Sequence, residues 1–189
     1  MNMNMNMRMK RRAVVAVAGC LAAAFPVWSK SAAPGKTAWR PVSTKLFRVS
    51  MPGAARHSAG THMWPDGDEK EELWIVGPTQ GALFTVNDAG VPAKTLKGLN
   101  AREILRSQSE GFIGGKPGDS VTSRKDLTLK GHSGLEVAGS IVLGEKRVQV
   151  KTRAFLIGRR LLTLNAVTRE QAQMKRDGDR FLRSLSFKK

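Results

Sequence analysis

The chain has 189 residues, enough for one domain and too few for two comfortable ones. Hydrophobic residues make up 41% of it and charged residues 25%, so a packed core is affordable and the chain is not an acidic or disordered tail. Its 32 Lys and Arg against 15 Asp and Glu give a formal charge of +17. A single cysteine, Cys20, excludes an intrachain disulfide.

Residues 1–29 read as a signal peptide. Met1 to Met7 is a Met-Asn repeat of low complexity, and Met7 and Met9 are alternative starts. Arg8, Lys10, Arg11 and Arg12 form a basic region, and Ala13 to Trp28 is apolar throughout. At 16 residues the apolar run is short of the roughly 20 that span a bilayer. A basic start, a short apolar run and small residues beyond it describe an export signal with cleavage after Ser29. Val17-Ala18-Gly19-Cys20 also matches a lipobox, in which Cys20 would be lipidated. Ordinary cleavage, lipidation at Cys20 and an uncleaved anchor stay open. Each places the domain outside the cytoplasm, periplasmic or secreted in the first case and lipid-anchored in the second. Four basic residues leave with the signal, so 28 face 15 acidic ones and the remaining chain carries +13.

Residues 30–45 are rich in Ser, Ala, Pro, Gly and Thr without apolar periodicity, and read as a linker. The domain then occupies 46–189. Phe47, Val49 and Met51 alternate in a strand that Pro52-Gly53 ends. Ala54 to Gly67 reads as loop, with a short strand near Thr61 to Trp64. Glu71 to Val76 and Gly81 to Val86 form a hairpin. From Asn100 to Ile113 the apolar period becomes helical, with Asn100 and Glu103 spaced as a capping box, and the glycines from Gly114 to Gly118 stop the helix.

Asp126 to Val167 contains four alternating runs joined by short glycine-containing turns. Their apolar sets are Leu127 and Leu129; Leu135, Val137, Ile141 and Leu143; Val148, Val150, Ala154 and Leu156; and Leu162, Leu164 and Ala166. Links this short join antiparallel neighbours, so the expectation is a four-stranded meander with one buried face. Thr168 to Arg183 reads as a second helix weakened by Gly178, and Leu185 and Phe187 as a short terminal strand. The fold class is α+β: an antiparallel sheet with a four-stranded meander, a preceding hairpin and two main helices.

The strand carrying Phe47, Val49, Pro52 and Gly53, the turn-strand Gly131, Gly134, Leu135, Glu136 and Val137, and the terminal Phe181, Leu182, Ser184 and Phe187 together resemble the PsbP-like fold. That is the α/β/α sandwich of the photosystem II extrinsic protein, shared by a nuclear-transport factor that binds the GTPase Ran and by bacterial envelope proteins of unknown function. The resemblance spans 46–187 and implies a fold. Its residues are scaffold positions, and no catalytic or ligand residue transfers with them.

Motifs for chemistry are sparse. His57 and His62 lie five apart in a segment read as surface loop and His132 in a distant turn, which is no zinc ligand set. Gly111 to Lys116 fails the phosphate-loop pattern, because Pro117 follows the lysine and the glycines end a helix rather than begin one. His132 and Ser133 are neighbours in sequence that point apart on a strand. No catalytic, cofactor or metal residue is assigned. On the third meander strand, Arg147, Lys151 and Arg153 oppose the apolar set, and Arg159 and Arg160 follow at the turn. They are expected to line an exposed basic face that contacts polyanions. The reading is an exported, non-catalytic envelope module that binds an acidic protein or an anionic surface, with nucleic acid disfavoured by export and by few interleaved aromatics. The alternative is a small periplasmic hydrolase or ligand-binding protein with a pocket at the open end of the meander.

Overall fold

The computed structural model describes residues 38–79, 81–113 and 117–188. The signal peptide and Cys20, most of the linker, and Gly114 to Lys116 lie outside the described residues.

A three-stranded sheet has the order β1-β2-β10, and a seven-stranded antiparallel sheet the order β3-β4-β5-β9-β8-β7-β6. The strands are β1 (Trp39–Ser43), β2 (Phe47–Pro52), β3 (Arg56–Trp64), β4 (Gly67–Thr79), β5 (Ala82–Gly90), β6 (Ser120–Leu129), β7 (His132–Leu143), β8 (Lys146–Ile157), β9 (Arg160–Thr168) and β10 (Ser186–Phe187). Helix α1 is Ala93–Gly98 and α2 is Ala101–Phe112. The third helical piece, α3, runs without a break through Gln171–Gln173, a π-helical turn Met174–Gly178, and Asp179–Arg183.

The meander is present as β6-β7-β8-β9, joined at β9 to β5, β4 and β3. Its four apolar sets do not share one face, which corrects the expectation of a single buried side. Val150 sits opposite Val167, and Ala154 opposite Thr163. Leu162, Leu164 and Ala166 therefore point away from Val148, Val150 and Ala154. Similarly, Leu127 sits opposite Gly134 and so faces away from Leu135. Two cores result. Phe47, Val49, Met51, Phe84, Phe155, Leu162, Leu164, Phe181 and Leu182 fill the space under β2, β10 and α3. Ile104, Leu105, Phe112, Ile113, Leu135, Val137, Val148, Val150 and Leu161 fill the space under α1 and α2. Central strand β9 is buried on both faces, so its sequence reads as a nearly continuous apolar run.

On the α1–α2 face of the sheet a hydrogen-bonded row crosses three central strands. Thr152 Oγ1 donates to Asn165 Oδ1 at 2.9 Å, and Asn165 Nδ2 donates to Thr85 Oγ1 at 3.0 Å. Pairing of this kind satisfies buried polar groups that would otherwise be costly.

Helix α2 starts where the sequence places it. Glu103 N–H donates to Asn100 Oδ1 at 2.9 Å and Asn100 N–H donates to Glu103 Oε2 at 2.9 Å, a reciprocal capping box. In α3, Gly178 lets the helix approach β9, since an added Cβ would fall 2.3 Å from Met174 Sδ and 3.4 Å from Ala166 Cβ. The glycine that weakens this helix in sequence permits its seating on the sheet.

Candidate functional site: a basic layer and a cleft

Four of the five cations expected on one exposed face are paired with carboxylates within the fold. Lys151 Nζ donates to Asp179 Oδ1 at 2.6 Å, and Arg153 Nε to Glu136 Oε2 at 2.6 Å. Arg153 Nη1 also donates to the Leu182 carbonyl at 3.0 Å. Both side chains are half-buried, because α3 lies over this part of the sheet. This corrects the exposed-face geometry: the alternation identifies the side of the strand but not the helix that covers it. Arg159 Nη2 donates to Glu69 Oε1 and Arg160 Nε to Asp88 Oδ1, each at 2.9 Å, on the other side of the sheet's centre. Arg147 alone of the five has no carboxylate partner among the described residues, and its Nη1 donates to Ser140 Oγ at 2.8 Å.

One group of cations without carboxylates lies on the layer of α3 and the small sheet. Arg40, Lys45, Arg48, Arg180, Arg183 and Lys188 are all exposed. Among the described residues none of them has a carboxylate within 4.0 Å. They are tied together structurally. Arg48 on β2 sits opposite Ser43 of β1 and Ser186 of β10. The Arg180 guanidinium stacks 4.3 Å over the Trp39 ring, next to Arg40. Lys188 Nζ donates to the Thr44 carbonyl beside Lys45. Sequence reading treated residues 30–45 as linker and so missed β1. Pro41 and the partial exposure of Trp39 and Val42 hide the strand, and an edge position tolerates the proline.

A cleft of about 800 Å³ opens on the opposite side of the molecule. Its walls come from the β3–β4 turn (Trp64, Asp66), from α1 and α2 (Leu99, Ile104, Ser107), and from edge strand β6 (Val121, Arg124). Trp64 Nε1 donates to the Gly90 carbonyl at 2.8 Å, which fixes its ring. Within the wall, Glu110 Oε1 accepts from Arg124 Nε at 2.5 Å and from Arg106 Nε at 2.9 Å. Burial pushes the Glu110 carboxyl upward in pKa, but the hydrogen bond and charge of Arg124, joined by Arg106, outweigh it and hold the group below the ordinary carboxylate value. Neither the cleft nor this triad was visible in sequence, because Arg106, Glu110 and Arg124 come from two elements.

The histidines do not sit in a surface loop. His57 and His62 both belong to β3. His57 stacks on Trp74 at 4.8 Å, and His62 is buried, packed against Trp64 and 3.4 Å from Glu71 Oε1. Asn87 Nδ2 donates to that same oxygen. The short strand expected near Thr61 to Trp64 extends back to Arg56, a stretch that reads as loop because most of β3 is exposed edge strand with no apolar alternation. Among the described residues no three His, Cys, Asp or Glu side chains converge as a metal site would require. No described helix is long and apolar enough to cross a membrane.

No protein-family profile matches the chain, and no curated protein matches it. Solved structures do. The solution structure of cyanobacterial PsbP from Synechocystis sp. PCC 6803 superposes with a TM-score of 0.56 at 12% identity, covering 85% of this chain and 99% of that one. A protein of unknown function from Pseudomonas aeruginosa, PA94, gives 0.42 at 12% identity over 66% of this chain and 92% of its own. LpqN of Mycobacterium tuberculosis, involved in cell envelope biogenesis, gives 0.42 at 13% identity over 80% and 91%. The first of these establishes architecture: this chain has the α+β fold seen in PsbP.

Proposed function

We propose that this chain is an exported, non-catalytic envelope module that docks on an anionic partner through the outer layer of α3 and the small sheet. The observation that carries the reading is the set of exposed cations there, Arg40, Lys45, Arg48, Arg180, Arg183 and Lys188, which lack carboxylate partners among the described residues. Of the sequence-derived stripe, Arg147 is comparably available, whereas Lys151, Arg153, Arg159 and Arg160 spend their charge on Asp179, Glu136, Glu69 and Asp88. The pattern from Arg8 to Ser29 supports export, to the periplasm or beyond the cell, with lipidation at Cys20 as the tethered form. An exported domain meets two kinds of anionic partner, acidic proteins and the head groups of envelope lipids.

Exposed charges act over about 8 Å at physiological ionic strength, so such a contact weakens with salt. The test is co-sedimentation of the processed protein with phosphatidylglycerol-containing and pure phosphatidylcholine vesicles across a salt series. Salt-sensitive binding to the anionic vesicles alone supports the lipid form. Failure with both vesicles, but salt-eluted retention of an acidic envelope protein, supports the protein form. Failure of both measurements refutes the reading.

A further inference from the structure

We propose that the cleft between α1–α2 and β6 binds a small amphiphile with a monoanionic head, such as an acyl carboxylate. Its volume of about 800 Å³ lies within the roughly 300–1,000 Å³ typical of small-molecule sites. Trp64, Leu99, Ile104 and Val121 give it apolar walls, and the bond from Trp64 Nε1 to the Gly90 carbonyl anchors that ring. These surfaces suit an aliphatic or aromatic body.

The head group is specified by charge. Arg106 and Arg124 both line the cleft and share one carboxylate oxygen, each through Nε. Among the described residues no second carboxylate pairs with either guanidinium. Their terminal amines remain available, and a planar guanidinium edge is matched to the two oxygens of a carboxylate or phosphate. Where α2 meets β6, two cations against Glu110 leave one local positive charge, which matches a monoanion; the other acid that α2 gives the lining, Glu103, is engaged at the helix start by the Asn100 N–H. Asp66, at the far wall, is occupied by Thr95 Oγ1 at 3.0 Å and Lys94 Nζ at 3.3 Å, so the anion's place is at the α2–β6 end. Because Glu110 positions both guanidiniums before any ligand arrives, little ordering remains to be done on binding.

Isothermal titration of the processed protein with monomeric dodecanoate, below its micelle concentration, tests this, with dodecyl phosphate and dodecyltrimethylammonium as comparison arms. One-to-one binding of dodecanoate is expected. Replacing both Arg106→Gln and Arg124→Gln should weaken it about tenfold or more. Val121→Trp, from a half-buried edge position, should abolish it by filling the cleft. Tighter binding of the phosphate than of the carboxylate would assign the head as phosphate within the same chemistry. Absent saturable binding, equal affinity in the double variant, or equally tight binding of the cationic analogue overturns the proposal. Melting curves establish that each variant is folded; should Val121→Trp not fold, the double variant decides. Substituting Arg48, Arg180 and Arg183 with Ser should leave dodecanoate binding intact, which separates this site from the outer basic layer.

Discussion

The two coverings of the large sheet solve the same packing problem differently. Helix α3 seats Gly178 against Met174 and Ala166 and buries Phe181 and Leu182 completely. Its Arg180 and Arg183, with Arg40 of β1 and Arg48 of β2, have no carboxylate partner among the described residues, although Arg176 on the same helix pairs with Asp177. Helix α2 buries Ile104, Leu105 and Phe112 but leaves an 800 Å³ cleft beside it, and there two arginines are held by Glu110. One covering is close-packed and electrostatically open; the other is loosely fitted and electrostatically engaged. The difference shows that a formal charge of +17 does not locate a binding surface. Carboxylate pairing decides which cations are available, and pairing is a property of the fold.

The largest expected effect tests whether both coverings seal the sheet. Val150 is 1% exposed under α2, and Leu164 on the adjacent strand is 0% exposed under the outer layer. An unpaired buried carboxylate at either position costs several kcal/mol, against a total stability of about 5–15 kcal/mol. Val150→Asp and Leu164→Asp should therefore both abolish the cooperative thermal transition in circular dichroism. A parent-like melt for Leu164→Asp would mean that the outer layer does not close that face.

The next contrast concerns the two groups of cations. Each charge near an anionic membrane contributes about 1 kcal/mol, so Arg48→Ser, Arg180→Ser and Arg183→Ser together should weaken binding to anionic vesicles by about 3 kcal/mol, more than a hundredfold. Lys151→Ala with Arg153→Ala should barely change vesicle binding. It should instead lower stability by about 1 kcal/mol through lost charge-assisted hydrogen bonds, read as a lower melting temperature. If the β8 pair weakens binding as strongly as the outer triple substitution, the assignment of the contact layer is wrong.

Much of this architecture was legible in sequence for physical reasons. Alternation over Asp126 to Val167 identified four strands, because β7 and β8 each bury one alternating set of side chains and short turns leave only antiparallel pairing. Asn100 and Glu103 marked the start of α2 through a purely local geometry. The edges were not legible. Strand β3 is solvated over most of its length, and β1 carries Pro41, so neither has a period to detect. Periodicity also reports only that a set of residues shares a side, not which side. That ambiguity gave the meander one buried face where the structure covers both, and made Lys151 and Arg153 look available when Asp179 and Glu136 already hold them. The cleft triad depends on contact between α2 and β6, elements separated by a turn and a glycine-rich segment, and no local pattern encodes it.

A smaller effect probes the looser covering at its start. The Asn100 side chain satisfies one backbone donor of α2 at an exposed position. Asn100→Ala should cost about 1 kcal/mol. Because α2 forms a wall of the cleft, the same substitution should speed amide hydrogen exchange in its first turn, around Arg102 to Leu105, while exchange in α3 stays as in the parent. Equal acceleration in both helices would show that the two coverings unfold as one unit and would dissolve the contrast between them.

The smallest effect lies on the helix-side face of β3, β4 and β5, where Glu71 meets His62 and Asn87. The hydrogen bond with His62 lowers the Glu71 pKa, burial raises it, and the charge of His62 and the bond from Asn87 lower it further, for a net displacement below the ordinary value of 4.5. A carboxyl whose folded pKa lies below its unfolded one contributes stability that is complete above the unfolded value. The contribution disappears as pH falls through the folded value. Thermal melts of the parent and of Glu71→Gln, taken in steps from neutral pH down through the carboxylate range, should therefore converge. At neutral pH the parent melts higher, since the variant has lost the charged partner of His62. Below the ordinary carboxylate value the parent loses that advantage and the two curves approach each other. A gap that stays constant across the whole range would mean that Glu71 contributes through packing alone. A gap that widens with acid would reverse the sign of the displacement and place the proton on Glu71 in the folded protein.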